Sequence, residues 1–245
     1  MVNPLRLIRA SLDVGRDFLR PPAEVGVEDV SQTRGTSPVL VPIRSLGSNH
    51  RSRIAHHLLS LGESDRYLRF GYNARDAQIQ KYVDSLDFER DDIFGIYNRR
   101  LDLLAVAHLA YAKGHGYEEC AEFGVSVLAS ARARGYGARL FERAAMHATN
   151  EGVRMMFIHA LSENAPMLRI ARNAGARLQR DGTESEAYLI LPNASLDTRM
   201  TEMLEEQIAQ TDYSLKVQAQ QFWNVLGELQ SIRRDAIEAQ KRSAS

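Results

Sequence analysis

Residues 121–138, Ala-Glu-Phe-Gly-Val-Ser-Val-Leu-Ala-Ser-Ala-Arg-Ala-Arg-Gly-Tyr-Gly-Ala, combine residue types and a spacing suited to an anionic ligand. An apolar strand pattern runs into a short basic loop, the loop closes on Gly135 and Gly137, and a helical pattern begins at once. Backbone N–H groups are unpaired at a helix start and the helix dipole is positive there, so phosphate oxygens can be held by main chain alone. Gly135 and Gly137 allow a close approach that a Cβ would block. Arg132 and Arg134 add charge-assisted donors.

Two familiar phosphate sites do not fit. A P-loop needs Lys and then Ser or Thr after its second glycine, and here Ala138-Arg139 follows. A dinucleotide turn needs a third glycine, where Leu140 stands, and an acidic residue about 20 positions on; the next strand offers Met155-Met156-Phe157 instead.

The surrounding elements read in order from hydrophobic period. Val39–Ile43 reads as a short strand. Ile54, Leu58 and Leu61 form one helical stripe, with Ser48 or Asn49 as its cap. A second helical region starts at Glu63, breaks at Gly71-Tyr72-Asn73 and resumes through Ile79, Tyr82, Val83 and Leu86. Strands at 93–97 and 101–112 flank the turn Asn98-Arg99-Arg100 and predict a hairpin. A polar loop at 113–119 leads to the strand at 121–129, where Phe123, Val125 and Val127 share one face and Glu122, Gly124 and Ser126 the other. Leu140, Phe141, Ala144, Ala145 and Ala148 follow at helical spacing. The near-continuous apolar run at 153–161 predicts a strand buried on both faces. Another helix opens at Ser162-Glu163-Asn164, and a hairpin at 176–191 turns near Asp181-Gly182.

The ends differ in kind. Residues 1–37 read as an arm and linker: Leu5, Ile8, Leu12 and Leu19 lie on a loosely amphipathic, Arg-bearing helix over 3–20, suited to packing on protein or to a membrane surface. Residues 196–245 form an extension in which Leu204, Ile208, Thr211, Leu215, Ala219, Phe222, Leu226 and Leu229 recur at steps of 3 and 4. That seam fits self-association or a partner helix, and equally a long helix folded back on the domain between them at 38–195.

Composition excludes several classes. Lys+Arg and Asp+Glu balance at 31 each, so net charge gives no reason to expect nucleic acid. The single cysteine, Cys120, excludes an internal disulfide or a Cys-rich metal site. No apolar run approaches a membrane span, and arginines at 6, 9, 16 and 20 interrupt any leader-like segment, which reads as a cytoplasmic protein.

Loop and element order together resemble the GNAT superfamily of acyl-CoA N-acyltransferases. Arg132-Ala133-Arg134-Gly135-Tyr136-Gly137-Ala138 looks like the family's pyrophosphate loop, Gln/Arg-x-x-Gly-x-Gly/Ala, after a strand of the right length. Glu163-Asn164-Ala165-Pro166-Met167 is similar to the segment whose Asn opens the next helix. The run Asp65-Arg66-Tyr67-Leu68-Arg69-Phe70 resembles a bacterial branch, and the resemblance spans about 38–192. It implies an α/β (α+β) fold with a mixed, mainly antiparallel central sheet flanked by helices, here with a long C-terminal helix added.

The resemblance further implies acetyl-CoA as donor and an amine as acceptor. Backbone groups of Val125, Ser126 and Val127 would pair with the pantetheine arm, the amides of Ala133 to Ala138 would hold the pyrophosphate, and Asn164 would stand near the arm. Glu122 and His159 occupy positions where members carry a catalytic carboxylate. A core histidine with satisfied ring nitrogens is the plainer reading of His159, and a strand-edge ion pair that of Glu122. The tyrosine that protonates the leaving thiolate in many members is replaced by Ala171, with Tyr136, Tyr188 or water as substitutes. A chain so equipped fits an N-acetyltransferase, or a catalytically weak acyl-CoA-binding module acting through its C-terminal helix.

Overall fold

The computed structural model describes residues 41–112, 119–182 and 184–243, with backbone alone for Arg180, Asp181, Glu184 and 225–243. The expected helix at 3–20, the linker at 23–37, the start of the strand at 39–43 and most of the loop at 113–119, including His115, lie outside these residues.

Among the described residues seven strands form one sheet: β1 (Arg44–Ser45), β2 (Asp92–Tyr97), β3 (Leu103–Tyr111), β4 (Cys120–Val127), β5 (Met155–Leu161), β6 (Arg177–Asp181) and β7 (Glu184–Ile190). Their order is β1-β2-β3-β4-β5-β7-β6, antiparallel throughout except for the central β4–β5 pair. Of the expected strand at 39–43, the described residues 41–43 are not strand, and the edge strand is formed by Arg44 and Ser45. The predicted hairpin forms, and Asn98 builds its turn: Oδ1 accepts from the N–H of Arg100 at 2.8 Å and of Asp102 at 2.9 Å.

Register fixes which side chains share a face. Gly124 pairs with His108 and Ser126 with Val106 across β3, while Glu122 pairs with Phe157 on β5. Over this face lie α1 (Arg51–Leu59), α2 (Glu63–Phe70) and α3 (Asp76–Asp84), burying Ile54, Leu58, Ile79 and Val83. Gly71, at φ 78°, ends α2 in the left-handed conformation that a Cβ disfavours. The opposite face meets α4 (Tyr136–Asn150), whose Phe141 packs edge-on against Phe123, and α5 (Ala165–Asn173), which buries Met167, Leu168 and Ala171.

The strand at 155–161 is not buried on both faces. Met156, Ile158 and Ala160 are buried, but His159 is exposed. The helices α1–α3 cover the sheet as far as the middle strands, so the face bearing Phe157, His159 and its β7 neighbours Tyr188 and Glu186 stays open.

The C-terminal helix α6 (Leu196–Ser243) runs for 48 residues, about 72 Å at the α-helical rise. Its first turns fold back on the domain through a polar face, not through the apolar seam. Arg143 on α4, 3% exposed, meets Glu202 at 2.7 Å and Glu206 at 3.1 Å. His147 donates from both ring nitrogens, to Glu202 and, at 2.9 Å, to Asp92. Further along, Arg44 stacks on Tyr213 and Lys216 donates to Tyr97 O. Glu202, Glu206, Ala209, Tyr213 and Lys216 therefore form the docked stripe. The seam faces solvent at Leu204, Leu215 and Phe222.

Candidate active site

Pairing between β4 and β5 lasts only three residues, Cys120↔Met155, Ala121↔Met156 and Glu122↔Phe157. Beyond Glu122 the two strands part, each keeping its outer neighbour, so their facing backbone edges are free of each other. A cleft of about 1030 Å³ opens in the fork and runs along β4 to the start of α4. It is of the size that takes a nucleotide-bearing ligand.

At its far end the chain bends through two left-handed residues, Ala133 at φ 60° and Gly135 at φ 75°. The first amide of α4 to bond back is that of Arg139, to Gly135 O at 3.1 Å. The N–H groups of 133–138 thus have no backbone acceptor among the described residues, and they gather where the helix dipole is positive. Successive amides presented by left-handed residues form a concave anion seat. No side-chain oxygen caps α4, so the seat is left to a ligand.

Most of the residues singled out from sequence meet here. Glu122, Val125, Ser126, Val127, Arg132, Ala133, Gly135, Tyr136, Gly137, Ala138, His159 and Asn164 all line the cleft. Arg134 is exposed and outside the lining. Arg132 is engaged elsewhere: its guanidinium pairs with Asp65 on α2, tying that helix to the loop. Asn164 caps α5, its Oδ1 accepting from Met167 N at 3.2 Å, while Nδ2 reaches Leu68 O at 3.4 Å. Its side chain thereby positions α5 and α2.

His159 is not a core histidine. Its side chain is 56% exposed, stacks on Phe157 and has Nδ1 3.5 Å from Glu186. Glu122 is exposed at the fork, with no ion pair among the described residues. Ala171 is fully buried, so the helix that would carry a tyrosine packs a methyl into the core there. Tyr136 lines the cleft and Tyr188 does not.

Beneath β4 lies a polar layer that sequence reading missed. His57 on α1 is buried, with Nδ1 2.8 Å from Leu103 O and Nε2 2.8 Å from Ser126 Oγ. A carbonyl only accepts, so Nδ1 carries the proton and the Ser126 hydroxyl donates to Nε2. Burial, reinforced by the nearby Arg69 charge, pushes His57 down to about 4, and it stays neutral. The Ser126 hydroxyl is therefore committed to His57.

A second chain starts at Arg69, near the C-terminus of α2. Arg69 Nη2 donates to Tyr82 Oη at 3.0 Å, Tyr82 donates to His108 Nδ1 at 2.8 Å, and His108 Nε2 donates to Asp91 at 3.2 Å. Asp91 is gripped by Arg90 at 2.6 Å. Burial and the Arg69 charge outweigh Asp91 and hold His108 below its ordinary value. Burial would raise Asp91, but the Arg90 hydrogen bonds and His108 bring it below the usual carboxylate range. Partners 13 to 26 positions apart give no sequence spacing by which this chain could be found.

Residues 65–176 match the model of the acetyltransferase (GNAT) family. The GNAT domain of an S. lividans PAT is similar in structure, at 17% identity over 62% of this chain and 95% of that one, with TM-score 0.53. A phosphinothricin acetyltransferase from Sinorhizobium meliloti, solved in complex with AcCoA, shares 14% identity over 62% of this chain and 89% of that one, with TM-score 0.51. A ribosomal-protein-alanine N-acetyltransferase from Brucella melitensis gives 14%, 61%, 99% and 0.50. No curated protein sequence matches. The forked β4–β5 pair and the amide seat lie within or beside the residues that match this family's model, and the fold is the one these acetyltransferase structures share.

Proposed function

We propose that the chain is an acetyl-CoA-dependent N-acetyltransferase acting on an amine acceptor. The observation that carries this reading is the fork between β4 and β5, which runs from Glu122 into the amide seat at 133–138. The parted edge of Val125 to Val127 offers main-chain hydrogen bonds to an extended amide-bearing arm, as an added strand would receive them. The amides of Ala133 to Ala138 hold the pyrophosphate, with Gly135 supplying the left-handed turn. Acetyl-CoA supplies the acetyl group already activated as a thioester.

The protein's part is orientation and proton removal. An acceptor amine is protonated in water and attacks only when neutral, so a base must take its proton. Glu122 is that base: it stands at the head of the fork, unpaired, on the face shared with Gly124 and Ser126. His159 lies on the neighbouring strand in the same open face, held toward Glu186, and contributes to the acceptor's surroundings. With Ala171 in the core, the departing thiolate takes its proton from solvent or Tyr136. Holding both reactants in one cleft supplies a large part of the rate.

The test is amine-dependent thiol release from acetyl-CoA across a panel of amino acids, polyamines and lysine peptides. Release that rises with one amine class supports the reading. Saturable CoA binding without release by any amine would favour the competing one, a binding module. For α6, whose exposed seam extends the heptad, we propose self-association with a second copy, since a repeated 3–4 seam is self-complementary. The docked stripe through Lys216 leaves that seam free. Light scattering should show a larger mass for the full chain than for one ending at residue 216; equal masses would remove self-association.

A further inference from the structure

Three arginines line the cleft, Arg69, Arg132 and Arg169; Arg169 is exposed, and Arg69 differs from the paired arginines of the domain in being partly buried without a carboxylate among the described residues. Arg66 is paired with Asp76, Arg90 with Asp91, Arg132 with Asp65 and Arg143 with Glu202 and Glu206. Arg69 has only the neutral Tyr82 hydroxyl and the rings of Phe70 and Tyr82, with no carboxylate partner among the described residues. It is partly buried and lines the cleft. Partial burial of a charge without a counter-charge is costly, so the arrangement is complete only when an anion arrives.

Two features hold Arg69 in place. The Tyr82–His108–Asp91 chain fixes Nη2 from behind and is neutral at Tyr82 and His108, so it anchors without cancelling the charge. The guanidinium also lies against the β4 backbone at Gly124, where a Cβ would come within 2.8 Å of Cζ. The absence of a side chain at that position is what allows the ion to lie there.

From this we infer that Arg69 binds the carboxylate of the acceptor, and that the acceptors are amino acids or similar amines carrying a carboxylate close to the amine. This rests on the acetyltransferase reading and names its substrate class. Glu122 and Gly124 are two residues apart on one face of β4, about 7 Å along the strand. An amino acid fits between them with its ammonium toward Glu122 and its carboxylate toward Arg69. A single guanidinium beside one carboxylate favours a monoanion over a phosphate dianion.

The experiment compares matched pairs, α-amino acids against their carboxamides, in thiol release from acetyl-CoA. The carboxamide's amine is the less basic, so intrinsic reactivity at neutral pH runs against the expected preference. Wild type should favour the acid about 10- to 100-fold in kcat/KM, the range of a charge-assisted hydrogen bond. Arg69→Met should abolish the preference with the KM for acetyl-CoA unchanged, Arg69→Lys should restore part of it, and Gly124→Ala, which displaces the guanidinium, should weaken it. Equal rates for acid and amide in wild type, or an Arg69→Met loss shared equally by both, would overturn the inference. If no amine of any kind is acetylated, the transferase reading fails separately. Arg69 is then judged by thermal shift of the CoA-saturated protein with N-acetyl amino acids against their amides. A shift specific to the acid and lost in Arg69→Met upholds the site, and no difference rejects it.

Discussion

In the proposed reaction, Glu122 is the residue on which the chemistry turns. Glu122→Gln keeps the shape and removes the proton acceptor, so kcat should fall about 10²- to 10⁴-fold, the usual contribution of a positioned base. The KM for acetyl-CoA should hold. His159→Ala, on the open face beside it, should cost far less in kcat. Stopped-flow thiol release checks both, and equal losses would move the proton-transfer role onto the pair. Glu122 is singled out in sequence by its position in the family resemblance, on a face shared with the small residues Gly124 and Ser126, and the structure leaves it exposed in the cleft. The same reading gave His159 a plainer role as a core residue, since a nearly continuous apolar run hides which strand neighbours stop covering it. Arg69 appeared only within the run Asp65–Phe70. Nothing in its spacing reveals that Tyr82, His108 and Gly124 converge on it.

At the scale of elements, the loop at 131–138 was readable as an anion seat because glycine and helix-start chemistry are local. The use of its arginines was not, since Arg132 answers to Asp65, 67 positions away. That pair places a carboxylate beside the phosphate seat. Asp65→Asn should free Arg132 and tighten CoA binding roughly two- to fivefold, in keeping with an exposed ion pair; calorimetric titration measures it, and weaker binding would show that the pair shapes the loop instead. Gly135→Val forces a branched side chain into a left-handed turn, at a cost of about 1–3 kcal/mol, and should weaken CoA binding most among loop substitutions. The α6 seam does not reveal the docked face for a physical reason: period finds apolar stripes, whereas the docked stripe is Glu202, Glu206, Tyr213 and Lys216.

Across the whole molecule, that charged stripe joins α6 to the sheet and makes its docking pH-dependent. Burial disfavours the His147 charge, but hydrogen bonds to Asp92 and Glu202 outweigh it and raise the group to about 9. Its contribution is complete below the unfolded value near 6.5 and is lost as pH rises through about 9. Burial would likewise raise Glu202, but His147 and Asn150 hold it down at about 2, so its contribution is present above about 4.5 and lost as pH falls through 2. Hydrogen exchange over residues 196–216 should therefore be slowest, relative to a pH-corrected reference, between about pH 4.5 and 6.5. Arg143→Met should lower stability by about 3–5 kcal/mol in urea unfolding, because it leaves carboxylates facing a buried surface. Sequence period yielded the long helix, yet its docking runs through contacts 52 to 63 positions apart to α4 and 119 to 161 apart to the sheet.

In the proposed reaction the β4–β5 fork transfers acetyl groups from acetyl-CoA to amines with Glu122 as base. Mass spectrometry of the amine after incubation with acetyl-CoA tests it most directly, comparing wild type with Glu122→Gln and with Gly135→Val. Expected are an acceptor heavier by one acetyl group with wild type, a yield at least about 10²-fold lower with Glu122→Gln, and a lower yield with Gly135→Val that excess acetyl-CoA recovers. An unmodified amine throughout the panel, or equal yields from wild type and Glu122→Gln, would contradict it.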